Sequence, residues 1–121
     1  MSALHIVATN YAGVTVAVLQ ESALLNQAVI EPIAAQLNRL VERDGVSKLI
    51  VDFSKVKLLS SQFLGTLTSL ARTCKATKTT LALCTIRPDV RKVFSLTGLD
   101  TVLKVYNDDV EALRAFGVKL S

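Results

Sequence analysis

LIVDFSKVKLLSSQFLGTL, residues 49–67, is the stretch on which the fold turns. Leu49, Ile50, Val51 and Phe53 form an apolar, β-branched run, the pattern of a strand buried on both faces. A short polar link leads to a second apolar touch at Val56, Leu58 and Leu59, and then to the adjacent hydroxyls of Ser60 and Ser61. There the period changes from two to about 3.6, because Leu64, Leu67, Leu70, Ala71 and Cys74 share one helical face. Two serines thus stand where a strand-to-loop exit meets a helix N-terminus. A hydroxyl there can cap free backbone N–H groups, and a phosphate there is favoured by the same groups and by the helix dipole.

Upstream, HIVATNYAGVTVAVLQ reads as two strands around a turn at Tyr11, Ala12 and Gly13, with Val14, Val16 and Val18 alternating. A helix follows with Ile30, Ile33, Ala34, Leu37, Leu40 and Val41 on one stripe, ending at Asp44-Gly45. Asn26 can cap it, which leaves Pro32 in its interior; alternatively the regular part begins near Glu31. Downstream, residues 79–86 read as a buried strand, and Pro88 opens a short helix with Val90, Val93 and Phe94 inward and Gly98 closing it. Residues 102–106 make a last strand. Asn107 caps a final helix with Asp108, Asp109 and Glu111 in its first turn, and with Val110, Leu113 and Phe116 facing the core. The order ββαβαβαβα predicts an α/β fold with a mixed, mostly parallel sheet and helices packed mainly on one side. Right-handed crossovers place the two serines at one end of that sheet, where ligands and partners commonly meet such folds.

With 121 residues, half of them apolar, the chain is expected to form a single domain over 1–121 that needs no disulfide or metal. Cys74 and Cys84 read as small core residues with reduced thiols. The N-terminus lacks the pattern of a signal peptide, and no apolar stretch approaches the ~18 residues of a membrane span, so a cytoplasmic location is expected. Net charge is +4. Between Phe53 and Lys92, Lys55, Lys57, Arg72, Lys75, Lys78, Arg87, Arg91 and Lys92 face a single acid, Asp89. That run is either a solvated face or a patch that steers an acidic partner, an anionic lipid or a phosphate. Direct nucleic-acid binding is disfavoured, because aromatic residues do not interleave with the basic ones.

Catalytic patterns are missing. His5 is the one histidine, and no P-loop, H-E-x-x-H or G-x-S-x-G occurs. Asp52 near a strand end suits a bond to local backbone amides. Ser60 and Ser61 have no base beside them in sequence, so the chain is read as a non-enzyme with no cofactor and no metal. Gly65, one turn into a helix, costs about 1 kcal/mol relative to alanine. It permits either close packing within the molecule or the approach of a partner.

At these residues the chain resembles the STAS domain, the fold of stand-alone anti-sigma factor antagonists and of sulfate-transporter tails. In that family a strand ending near Asp-Leu/Phe leads through a loop to Asp-Ser-Ser/Thr-Gly-Leu-Gly and a helix. The matching residues are Val51-Asp52-Phe53, the loop 54–59, and Ser60-Ser61-Gln62-Phe63-Leu64-Gly65. Ser60 stands for the family's Asp, Phe63 for its Gly, and Asn26 where many antagonists carry an Asp. The resemblance implies a phosphorylation-gated binding module of a partner-switching pathway. Its switch is Ser61 (alternatively Ser60), phosphorylated by a serine kinase that is also the anti-sigma factor and restored by a phosphatase. Gln62, Phe63, Gly65, Thr66 and Ser69 are expected to line the contact face, with Phe63 packing inward beside Leu67 or, if outward, anchoring the partner. The alternative role within the family is a non-phosphorylated scaffold or an accessory subunit of a larger complex in stress signalling or lipid or anion transport.

Overall fold

In the computed structural model, which describes residues 5–119, the charge-free alternation at the N-terminus folds as an antiparallel hairpin. Its strands are β1 (Ile6–Tyr11) and β2 (Val14–Leu19), with Ile6 opposite Leu19 and Tyr11 opposite Val14. The two-residue loop carries Ala12 and Gly13 at φ of 52° and 89°, a pair of left-handed residues whose twist matches that of the flanking strands. A short strand β3 (Ala23–Leu24) precedes α1 (Gln27–Glu42). Next come β4 (Lys48–Asp52), a second short strand β5 (Leu58–Leu59), and α2 (Ser61–Ala76). The chain closes with β6 (Thr80–Cys84), α3 (Pro88–Thr97), a 3₁₀ turn at Leu99–Thr101, β7 (Lys104–Tyr106) and α4 (Asp109–Ala115).

The main sheet has the order β1-β2-β4-β6-β7, and every pairing after the hairpin is parallel. Period-two alternation sorts β4 between two cores. Leu49 and Val51 join Ile33, Leu37, Leu67, Leu70 and Phe94 under α1, α2 and α3, while Ile50 joins Val16, Ala82, Ala112 and Leu113 under α4. Three helices on one face and one short helix on the other match the expected one-sided packing.

Local departures from the sequence reading have identifiable causes. α1 begins at Gln27 rather than near Glu31, because the Asn26 Oδ1 accepts the Val29 N–H at 3.2 Å and the helix runs unbroken through Pro32. The final helix is capped by Asp108 rather than Asn107: the Asp108 Oδ1 accepts the Glu111 N–H at 2.8 Å, and Glu111 reaches back to the Asn107 N–H. That one-residue shift turns Val110 outward, to 41% exposure, while Ala112 and Leu113 are buried. The last strand contracts to three residues, since Val102, 70% exposed, follows directly on the 3₁₀ turn. The β3–β5 pairing was not anticipated; two-residue strands are too short to show a period.

Candidate functional site

Two parallel helices begin side by side at the C-terminal end of the sheet, and the small ribbon of β3 and β5 sets their alignment. Ala23 lies opposite Leu58, and Leu24 opposite Leu59. The Lys57 and Leu58 N–H groups donate to the Ser22 carbonyl at 2.8 and 3.1 Å, and the Ser60 N–H donates to the Leu24 carbonyl at 2.9 Å. The start of α2 is therefore bonded to the three residues that lead into α1. Leu58 in β5 and Leu25, the residue after β3, are exposed at 56% and 49%. Both belong to or adjoin the paired segments that lead into α1 and α2, and neither is among the contact residues expected from the sequence.

The two serines part company here. Ser60 is the N-cap residue of α2, with extended backbone (φ −98°, ψ 165°), yet its side chain accepts no N–H from the first turn. Its Oγ is sealed from solvent and has no hydrogen-bond partner among the described residues. In the folded chain this oxygen is not offered to solvent. Ser61 is the first residue of the helix and is exposed. The helix N-terminus beside it has N–H groups without intrahelical acceptors, a setting that favours an anion.

Gln62, Gly65 and Ser69 are exposed and Thr66 half-buried, all on the face given by i, i+3, i+4, i+7 spacing. Gln62 Nε2 donates to Gln27 Oε1, and Gln27 Nε2 donates to Glu31 Oε2 at 3.1 Å, so the residue after Ser61 is tied to α1. A Cβ added at Gly65 would meet nothing within 4 Å, so close packing inside the molecule does not account for this glycine. Phe63 does not belong to the contact face. Its exposure is 0%, and its ring packs edge-on against Phe53 at 6.1 Å between centroids. Phe53 in turn meets Phe94 at 6.1 Å, so the ring at 63 is one of three that fill the core below α2 and α3. At the third position of a helix whose fourth and seventh residues are also buried, it falls on the core stripe.

Asp52 is buried, and its Oδ1 accepts the Ser54 N–H at 2.7 Å, a local turn closure. Burial pushes the thiols of Cys74 and Cys84 up to about 11 and about 12. His5 Nδ1 lies 3.3 Å from Glu21 Oε1, at the start of β1. The basic run does not form one surface. Lys55, Lys57, Arg87 and Arg91 lie at the serine end, with Lys55 donating to Gln20 Oε1 and Arg91 to Asn107 Oδ1. Arg72, Lys75 and Lys78 sit at the other end of α2, a helix about 24 Å long.

Comparison with known proteins agrees with this architecture. Residues 5–112 match the model of the STAS domain. BtrV of Bordetella bronchiseptica, named as a candidate anti-sigma factor antagonist, is 29% identical over 108 residues, covering 89% of this chain and 90% of BtrV. A solved STAS domain protein of Planctomyces limnophilus, named an anti-sigma factor antagonist, superposes with a TM-score of 0.83 at 26% identity. That match covers 93% of this chain and 97% of the other. The Bacillus cell fate determinant SpoIIAA in its phosphorylated form shares the fold, with a TM-score of 0.69 at 20% identity over 92% of this chain and 98% of its own. No helix among the described residues is long and apolar enough to cross a membrane. With the family match running from the first strand into the last helix, the chain belongs to the STAS domain family.

Proposed function

We propose that this chain is an anti-sigma factor antagonist, a binding protein of the cytoplasm whose hold on its partner is set by phosphorylation of Ser61. One observation carries the reading: of the two adjacent hydroxyls, the one at Ser61 stands exposed at the first residue of α2 while Ser60 Oγ is sealed. The names borne by BtrV and the P. limnophilus protein support the antagonist role, and SpoIIAA is a protein of this fold that exists phosphorylated. The kinase, itself the anti-sigma factor, supplies ATP, Mg²⁺ and the base, and a phosphatase reverses the step.

The physics of the switch is electrostatic. A phosphoserine carries about −1.5 to −2 charges, which must be desolvated wherever the partner covered a neutral hydroxyl. A penalty of about 3 kcal/mol weakens binding more than a hundredfold. The free domain tolerates the anion at a helix N-terminus, so the fold itself does not move. Incubation with the cognate kinase and ATP should yield a phosphopeptide containing Ser61. Ser61→Asp should lose the anti-sigma partner in a pulldown, and Ser61→Ala should keep it. Equal binding by both variants and the parent refutes the switch.

A further inference from the structure

Of the two edges of the five-stranded sheet, β1 is the less protected. It bounds the five-stranded sheet, is six residues long, and exposes five of the six. Folded proteins blunt such an edge with short length, charge, proline or a bulge. The opposite edge, β7, has three residues and carries Lys104. β1 has none of these devices: IVATNY holds no charge and no proline, and its register with β2 is unbroken. The neutrality is wider than the strand. All 14 basic and all 10 acidic residues lie in 21–121, so residues 1–20 contain none.

The hydrogen-bond phase of the hairpin shows what the edge offers. The Gln20 N–H donates to the His5 carbonyl at 2.9 Å. His5, Val7, Thr9 and Tyr11 are therefore the residues bonded to β2, and the N–H and C=O groups of Ile6, Ala8 and Asn10 point outward. On one sheet face Val7 and Tyr11 stand 42% and 45% exposed. On the other, a groove of about 170 Å³ runs between the strand and α1, lined by Ile6, Ala8, Gln36, Arg39, Leu40 and Asp44.

We infer that β1 docks a second copy of this chain, paired antiparallel about a two-fold axis at Ala8. In that register Ala8 meets Ala8, Val7 meets Thr9 and Ile6 meets Asn10, and the outward amides and carbonyls close about six hydrogen bonds. A two-fold interface sets a surface against itself, so any charge on the strand would face its own copy. A strand with no charge meets that condition and offers nothing for a partner of opposite charge to read. The groove adds one positive and one negative side chain, Arg39 and Asp44, again neutral in sum. β2 separates β1 from β4 and the serines, so this assembly does not depend on the function proposed above.

Light scattering and sedimentation equilibrium on the purified chain, over a concentration series, should give twice the 13.0 kDa mass of one chain. In that dimer the amides of Ile6, Ala8 and Asn10 should be protected from hydrogen exchange. Ala8→Pro removes an outward N–H and leaves the β2 ladder intact; Thr9→Lys adds a positive charge on each side of the axis. Each should weaken the dimer by at least about tenfold with an unchanged circular dichroism spectrum. If Ala8→Pro does not fold, Thr9→Lys and Val7→Lys decide the matter alone. A monomer at every concentration, a dimer that the folded variants leave intact, or an open-ended larger mass overturns the inference.

Discussion

Ser60 occupies the N-cap of α2 in the extended conformation in which a serine ordinarily accepts a first-turn N–H, but its Oγ makes no such bond and is sealed from solvent. These facts set the sign of the Ser60→Ala substitution. A working serine cap is worth about 1 kcal/mol, which alanine forfeits. A buried hydroxyl without a partner instead carries a desolvation cost of about 1–3 kcal/mol, which alanine relieves. The Ser60 N–H to Leu24 carbonyl bond belongs to the backbone and survives the change. Only the oxygen leaves, and the space it vacates is smaller than a methyl group. Ser60→Ala should therefore stabilise the domain by about 1 kcal/mol, raising Tm by about 3–5 °C for a chain of this size. Urea unfolding followed by circular dichroism measures it as a shift in midpoint at constant slope. A loss of about 1 kcal/mol, the signature of a functioning cap, would refute the reasoning.

Phe63→Ala should cost about 3–5 kcal/mol, because it opens a cavity beside Phe53, against whose ring Phe63 packs. Thermal unfolding checks this, and near-wild-type stability would return the ring to the surface. Gly65→Ala should gain about 1 kcal/mol by denaturant unfolding, since the site is helical, exposed and open. If this face of α2 is the partner surface, the same variant should bind the partner more weakly; full binding would remove Gly65 from the contact. The thiol pKa values predict an alkaline loss of stability. Below the ordinary value of 9.0 both states hold their protons. Between that value and the folded values of about 11 and about 12, the unfolded thiols ionise first. Stability should then fall by about 1.4 kcal/mol per pH unit for each thiol. A Cys74→Ala/Cys84→Ala double variant should show a flatter urea-midpoint profile above pH 9.

What the chain determines locally is the set of long elements and the faces they bury. Valines alternating in β2, the unbroken apolar run of β4 and the stripes of α1 and α2 are repeated signals. Each repeat adds burial energy to one pattern and excludes the other. The α2 start, the Gly98 stop (φ 76°) and the interior cysteines follow from the same local chemistry. The chain places Ser60 and Ser61 side by side at a helix start and leaves them equivalent. Only the tertiary structure separates them: residues 22–24 arrive from far along the chain and bond the segment 57–60, and in the folded chain one hydroxyl is sealed while the next residue stays exposed. Phe63 and the β3–β5 ribbon are decided in the same way. The inward turn of one ring depends on Phe53, itself packed on Phe94, waiting to meet it, and two-residue strands exist only when each finds the other. Periodicity records which residues a helix or strand buries against its own face; it holds no record of what a distant segment covers.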